Sequence, residues 1–144
     1  MAKKPGIRKS PPTKKKVRAA RRIVTDDSRK PCWRISSADT GGPWSCAEMD
    51  HNMFWTGIFH RIRDFETMTW HEIRRTGSHS IPVSEICHEA GTRLEEIGLG
   101  DTDELFSLRL SGKQRLWGIR DRETLRILWW DPEHQICPSA KKHT

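Results

Sequence analysis

Apolar positions along the chain recur with two different periods, which divide it into extended and helical segments. The stretch CWRIS at residues 32–36 alternates as a short strand does, and the loop SSADTGGPWS follows it. Apolar side chains then recur at helical spacing over residues 50–65, and Asp50 or Asn52 can cap the start of this helix. A strand, a loop and an amphipathic helix are therefore predicted, with Trp55 of the helix buried in the core.

Two further helices are indicated after this one. In TWHEIRRTG, Thr69 and Glu72 form a capping box at the start, and Gly77 can supply a left-handed residue at the end. Trp70 occupies an apolar position of this helix and is expected in the core. In VSEICHEAGTRLEEIG, residues 83–98, the apolar side chains make one stripe along a helix whose other face is mostly acidic.

The last part of the chain changes to an extended pattern. The strands LFSLRL, RLWGIR and LRILWW alternate with the turns SGKQ and DRET, which predicts an antiparallel meander of three strands. The adjacent Trp129 and Trp130 point to opposite faces, so one is expected in the core while the other faces a groove or the opposite layer. The chain leaves the sheet at Pro132, with room for a short returning strand at residues 135–137.

This order of elements predicts an α+β fold. A small antiparallel sheet, built from the N-terminal strand and the C-terminal meander, is covered on one face by two to three helices. At 144 residues the chain has room for one such domain. We assign the domain to residues 31–139, with a disordered basic tail over residues 1–30 and a short basic tail over residues 140–144.

Charge is distributed unevenly along the chain. Residues 1–30 hold twelve of its 26 Lys and Arg residues but two of its 19 acidic residues, so the remainder is mildly acidic. The tail has too few large apolar side chains to offset the entropy cost of ordering it. Two interpretations of the tail are equally favoured: an arm that binds the phosphates of nucleic acid, and a solubilising extension. The first interpretation involves Lys14, Lys15, Lys16, Arg18, Arg21 and Arg22.

Cysteine usage and hydropathy argue against several classes of protein. The four Cys residues are far apart, with no CxxC pair and no secretory signal, which indicates free thiols. No two closely spaced ligand pairs suit structural zinc, so we expect no metal and no small-molecule cofactor. No segment approaches the roughly 20 apolar residues of a membrane span, so we expect a soluble, cytoplasmic protein without a membrane partner.

Basic side chains flank the turns of the predicted meander. Arg109, Lys113 and Arg115 surround the first turn, and His134 follows the last strand. Arg and Lys can offset charge on phosphate oxygens, while His, with a pKa of about 6.5, can transfer protons near neutrality. The alternative is that these side chains form the solvated face of the sheet, ion-paired with acidic neighbours. A nucleic-acid-binding surface would also include the two arginines that flank the second turn, Arg120 and Arg126.

The segment FSLRLSGKQRLWGIRDRETLRILWWDPEHQI resembles the RelE/ParE superfamily of bacterial toxin–antitoxin systems, including its HigB-like branch. The matching features are a Phe, a Gly-Lys turn, an Arg that leads the central strand, an LRIL run and a His. They stand at Phe106, Gly112, Lys113, Arg115, residues 125–128 and His134. The resemblance implies a fold made of a strand, a helical hairpin and a C-terminal meander.

The same resemblance implies a small toxin-like endoribonuclease that cleaves mRNA without a metal, often at the ribosome, or else a gyrase-directed or inactive relative. By position, Arg115 and Lys113 would stabilise the phosphate, Arg109 would assist, and His134 would act as acid or base. The implied partners are RNA or the ribosome and an antitoxin-like protein. Two alternatives stay open: a non-catalytic module that binds nucleic acid or the ribosome through its tail, and a protein-interaction domain whose edge strand pairs with a partner.

Overall fold

A computed structural model describes residues 27–138 of the chain. Its elements follow the order strand, two helices, strand, helix and three strands. The strands are β1 (Cys32–Arg34), β2 (His79–Pro82), β3 (Glu104–Arg109), β4 (Arg115–Asp121) and β5 (Thr124–Asp131). The helices are α1 (residues 51–65), α2 (Trp70–Arg74) and α3 (His88–Glu96), and short 3-10 turns lie at Cys46–Glu48 and Val83–Glu85.

The strands form one mixed sheet in the order β1-β5-β4-β3-β2. The α+β class is confirmed, and β3, β4 and β5 form the predicted antiparallel meander. Two features of the sheet differ from the prediction. β1 pairs with β5 in parallel, which its long connection to the meander permits where a hairpin would not. β2 is an unpredicted fifth strand, antiparallel to β3 at the opposite edge from β1.

Helix α1 starts at the predicted place but has an irregular middle. Asp50 is its N-cap, and its Oδ2 accepts a hydrogen bond from the backbone N–H of Met53 at 2.8 Å. Residues Phe54–Ile58 then form a π-helical turn, which rotates the following side chains out of the phase of a regular α-helix. The prediction that Trp55 is buried is consequently wrong, since this residue is 51% exposed.

The start of α2 is as predicted, whereas the start of α3 is not. α2 has the predicted capping box between Thr69 and Glu72, Trp70 is fully buried, and Gly77 adopts a φ of 102° after the helix. The long helix predicted over residues 83–98 is wrong in its first part. The chain forms the 3-10 turn Val83–Glu85, then becomes extended, and α3 begins only at His88.

Hydrophobic side chains cover both faces of the sheet, not one face as predicted. The first face packs against α1 and α2, and its core includes Phe65, Trp70 and Trp130. The second face packs against α3 and the loop of residues 35–49, and its core includes Leu94 and Trp129. Both members of the adjacent Trp pair are therefore buried, one in each core. No helix in the described part of the chain is both long and apolar enough to cross a membrane.

A β-bulge in β5 sets which side chains reach each core. Ile127 pairs with Gly118 and Trp129 pairs with Trp117, so Leu128 between them has no partner in β4. The extra residue breaks the usual alternation, and Leu128 and Trp129 pack together in the second core. Beyond the bulge, the side chains of β5 alternate again, in the opposite phase to its first half.

A buried carboxylate holds the loop of residues 35–49 against the second face. Asp39, only 7% exposed, accepts hydrogen bonds from Arg93 of α3 at 2.9 and 2.8 Å and from the Trp129 indole at 2.9 Å. Its backbone N–H donates to the carbonyl of Leu128 at the bulge, 2.9 Å away. The hydrogen bonds from Arg93 hold the pKa of Asp39 below its usual value, despite burial.

Residues 27–30, which were assigned to the tail, belong to the folded body. The backbone N–H of His71 donates to the carbonyl of Asp27, and that of Trp70 donates to the carbonyl of Arg29, each at 2.9 Å. The Asp27 side chain also forms an ion pair with Arg120 at 2.7 Å. The remaining residues of the predicted tails lie outside the described part of the chain.

Candidate functional site

A row of ionisable residues lies on the second face of the sheet, where β3 ends, β4 begins and β5 ends. Arg109 of β3 is the register partner of Arg115 at the start of β4, and Arg115 is in turn the partner of Asp131 at the end of β5. Cross-strand partners are the closest side-chain neighbours in a sheet. The meander therefore places two guanidinium groups and a carboxylate side by side.

Arg115 is buried, with 8% of the residue exposed. Its Nη1 donates to the carbonyls of Ser111, Gly112 and Gln114, at 3.0, 2.9 and 3.2 Å, so it closes the β3–β4 turn. Burial lowers the pKa of Arg115, the charge of Arg109 lowers it further, and the charge of Asp131 opposes both. Within residues 27–138, no hydrogen bond engages Nε or Nη2, which leaves these donors for a ligand.

The Arg109 side chain lies against Gly77, three residues after the end of α2. A Cβ at Gly77 would stand 3.0 Å from Nη1 and 3.1 Å from Cδ of Arg109, so a larger residue would displace this side chain. The backbone N–H of Arg109 donates to the Oγ of the buried Ser78 at 2.9 Å. The end of α2 thus determines where the Arg109 guanidinium lies.

Asp131 is fully buried and organises the chain that follows β5. Its Oδ2 accepts from the Trp117 indole at 3.1 Å and from the backbone N–H of Ile136 at 3.0 Å, while Oδ1 accepts from the N–H of Gln135 at 2.8 Å. These bonds fold residues 132–136 into a turn, so the short returning strand predicted at residues 135–137 is not formed. His134 sits in this turn with a φ of 58°.

The turn places the half-buried imidazole of His134 beside the arginine pair. Burial lowers the pKa of His134, and the positive charges of Arg115, Arg109 and His79 lower it further, while Asp131 opposes them. The neutral form of His134 is therefore favoured near pH 7. A neutral imidazole in a cationic environment can accept a proton, which is the first requirement of a general base.

A cleft of about 480 Å³ lies at this end of the sheet. Three of the four predicted catalytic residues, Arg109, Arg115 and His134, are brought together there. The cleft is also lined by residues that the sequence did not indicate, among them His79, Ser80, Glu85 and Cys137. The first two belong to β2, a four-residue strand whose single large apolar residue, Ile81, makes no alternating pattern in the sequence.

The other predicted site residues lie elsewhere. Lys113, the fourth predicted catalytic residue, forms an exposed ion pair with Glu133 at 2.7 Å and does not line the cleft. Arg120 lies on the first face, over the Trp70 ring at 4.3 Å. Arg126 donates to the Ser37 hydroxyl at 3.1 Å. The six basic residues predicted for the tail, Lys14, Lys15, Lys16, Arg18, Arg21 and Arg22, lie outside the described residues.

The described residues offer no evident ligand set for a metal ion. Between Asp27 and Pro138, no three His, Cys, Asp or Glu side chains are grouped so that they could hold one. The four Cys residues are free thiols, as expected. Burial raises the pKa of Cys46 to about 11, and it also raises the pKa of Cys137 in the cleft, so neither thiol is activated as a nucleophile.

Comparison of the chain with protein-family models, with curated proteins and with solved structures finds no match. The chemistry of the cleft is therefore inferred from its geometry and charge.

Proposed function

We propose that the protein is a RelE-like endoribonuclease that binds RNA at the cleft and cleaves it by metal-independent phosphoryl transfer. The observation that carries the proposal is the convergence of Arg109, Arg115 and His134 on one cleft, together with a second imidazole, that of His79. Two cationic groups and two proton-transfer groups are the parts that RNA cleavage without a metal requires. The resemblance of the meander sequence to the RelE/ParE superfamily supports the same activity.

The arginine pair supplies the phosphate site. Like charges on register partners destabilise a sheet, and no carboxylate of residues 27–138 lies within 4.0 Å of either guanidinium. A phosphate between the two groups removes this repulsion and receives charge-assisted hydrogen bonds from Nε and Nη2 of Arg115. The same bonds strengthen as negative charge develops on the phosphate oxygens in the transition state.

The two imidazoles supply the proton transfers. Neutral His134 accepts the proton of the ribose 2′-hydroxyl, whose oxygen attacks the adjacent phosphorus. The bond from phosphorus to the 5′-oxygen breaks, and the His79 imidazole is the group in the cleft that would donate a proton to that leaving oxygen. The products are a 2′,3′-cyclic phosphate and a free 5′-hydroxyl. General acid–base catalysis of this kind contributes roughly 10²- to 10⁴-fold to a rate.

The partners follow from the resemblance. RNA, free or on the ribosome, is the proposed substrate in the cytoplasm, and an antitoxin-like protein is the proposed inhibitor. An exposed sheet edge is one place where such a protein could add a strand, and β2 is the edge that borders the cleft.

The test is RNA cleavage by the purified full chain, with and without ribosomes. We expect His134→Gln and Arg109→Gln each to lower the cleavage rate by about 10²-fold or more. Arg34→Ala removes an exposed arginine at the opposite edge of the sheet and is expected to leave the rate unchanged. A product with a 2′,3′-cyclic phosphate end identifies the reaction.

Two results would overturn the proposal. One is cleavage that proceeds equally fast in wild type, His134→Gln and Arg109→Gln, which would place the chemistry elsewhere or in a contaminant. The other is salt-dependent RNA binding by the wild-type protein with no product under any condition, which would leave a binding module without catalysis.

A further inference from the structure

Helix α1 carries an exposed group of aromatic side chains outside the cleft, here called the aromatic ridge, formed by Phe54, Trp55 and Phe59. Trp55 is 51% exposed, and the other two rings are half-buried. The Trp55 ring centroid lies 5.0 Å from that of Phe54 and 5.0 Å from that of Phe59, in edge-on and tilted arrangements. Two neighbouring rings therefore fix the position of a large aromatic surface in contact with water.

The exposure of Trp55 is produced by the backbone. Phe54 and Trp55 lie in the π-helical turn Phe54–Ile58 and Phe59 follows it, while Ile58 and Phe65 of the same helix are fully buried. A π-helical turn is less favourable than a regular one and occurs often at functional sites. An amphipathic helix without this turn would keep Trp55 in its apolar stripe, as the sequence pattern predicts.

The ridge is joined to the phosphate site through the β3–β4 turn. Met53, next to the ridge, accepts a hydrogen bond at its Sδ from Nε2 of Gln114, 3.5 Å away. The carbonyl of the same Gln114 accepts from Nη1 of Arg115 at 3.2 Å. The two features thus lie on either side of one turn, at the same end of the sheet.

A guanidinium group and an imidazole lie beside the Phe59 end of the ridge. The Arg63 guanidinium lies 5.8 Å from the Phe59 ring centroid, and the His60 imidazole lies 6.0 Å from it in an edge-on arrangement. Exposed aromatic rings interleaved with basic groups bind single-stranded nucleic acid, because bases stack on the rings and phosphates are attracted to the charges. This charge complementarity favours RNA over an apolar protein partner.

We propose that the aromatic ridge is a base-stacking platform for single-stranded RNA. The inference rests on the proposed function only in taking RNA as the ligand: a strand with one phosphate between Arg109 and Arg115 passes the β3–β4 turn and stacks a base on Trp55. The platform recognises the unpaired state of the strand, because a base within a duplex does not offer its face.

The test compares binding of two labelled single-stranded oligoribonucleotides of equal length, one with bases and one abasic throughout, by fluorescence anisotropy. Trp55→Ala is expected to weaken binding of the strand with bases by about 5- to 100-fold and to leave binding of the abasic strand unchanged. Trp55→Phe keeps an aromatic ring and is expected to retain most of the affinity. Ile35→Ala, which alters a 74%-exposed apolar residue elsewhere, is the matched control.

Failure of the platform and failure of the proposed catalysis give different results. If Trp55→Ala changes binding of both strands equally, or of neither, the platform is wrong even where RNA is cleaved. If Trp55→Ala selectively weakens binding of the strand with bases while no RNA is cleaved, the platform is supported and the proposed catalysis is wrong. Loss of self-association in Trp55→Ala without any change in RNA binding overturns the platform in favour of a protein interface.

Discussion

Arg109 and Arg115 are register partners on β3 and β4, so two positive charges stand opposite each other at the end of the sheet. Arg115 is buried, and the charge of its partner adds to burial in lowering the pKa of its guanidinium. Such a pair costs stability in the free protein and is relieved by a bound anion. The arrangement makes anion binding measurable as a change in stability.

Inorganic phosphate should raise the melting temperature of the wild-type protein at constant ionic strength, relative to chloride. At a phosphate concentration of 100 times Kd, the gain would be about 2.7 kcal/mol. Arg109→Gln removes the repulsion, so this variant should be as stable as wild type or more stable without phosphate, and it should respond weakly to phosphate. An equal phosphate response in wild type and Arg109→Gln, with Arg34→Gln as the control, would contradict this account.

Arg115 has a structural role in addition to the proposed one. Arg115→Met leaves three carbonyls of the β3–β4 turn without their donor and should lower the free energy of unfolding by about 1–3 kcal/mol in urea denaturation. Lys113→Ala, which removes an exposed ion pair in the same turn, should cost about 0.5 kcal/mol or less. A larger loss for Lys113→Ala than for Arg115→Met would show that the turn is held differently.

His134 should make stability depend on pH. Burial lowers the pKa of His134 below its ordinary 6.5, so the unfolded chain takes up this proton at a higher pH than the folded protein does. Between the folded pKa and 6.5 the unfolded state binds more protons, and the free energy of unfolding therefore rises with pH through this window. His134→Gln should reduce that slope, whereas Arg34→Gln, at the opposite edge of the sheet, should not.

The same residue allows a spectroscopic check. NMR titration of the His134 ring protons should give a pKa below 6.5 in the free protein and a higher pKa in the presence of phosphate, whose charge favours the imidazolium. A pKa for His134 above 6.5 without any anion would contradict the environment described for the cleft.

Asp39 should contribute strongly to stability through its bonds to Arg93 and Trp129. Asp39→Asn is expected to lower the free energy of unfolding by about 2–4 kcal/mol near neutral pH. Because Arg93 holds the pKa of Asp39 below 3.8, this contribution is present above 3.8 and is lost as pH falls through the folded pKa. Denaturation curves of wild type and variant should therefore converge in acid. Glu96→Gln, which alters the exposed partner of Arg93, should have little effect.

Features that depend on local sequence were the ones that could be predicted. The capping box of Thr69 and Glu72 and the turns of the meander require neighbours within a few residues, and all of them are present. The π-helical turn of α1 and the parallel pairing of β1 depend on distant packing, and no local pattern indicated them. Trp55 shows the consequence, because a correct helix prediction still assigned it to the wrong environment.

The candidate site was predictable for a topological reason. In a meander, the end of one strand, the start of the next and the end of the third lie at the same end of the sheet, so Arg109, Arg115 and His134 could be grouped without a structure. Lys113 was misplaced because a residue at the tip of a turn projects beyond the sheet, where it meets Glu133. His79 was missed because β2 has four residues and joins the sheet only through its pairing with β3.

The unpaired residue Leu128 has a consequence for the whole cleft. A strand has a parity, and one inserted residue inverts it for every position that follows. The bulge places Leu128 and Trp129 on the same face, so Asp131 remains the partner of Arg115. In a regular strand of the same sequence, Asp131 would lie on the opposite side of the sheet, where it could neither neighbour Arg115 nor anchor the turn that carries His134. The candidate site thus depends on the bulge at Leu128, a residue that does not itself line the cleft.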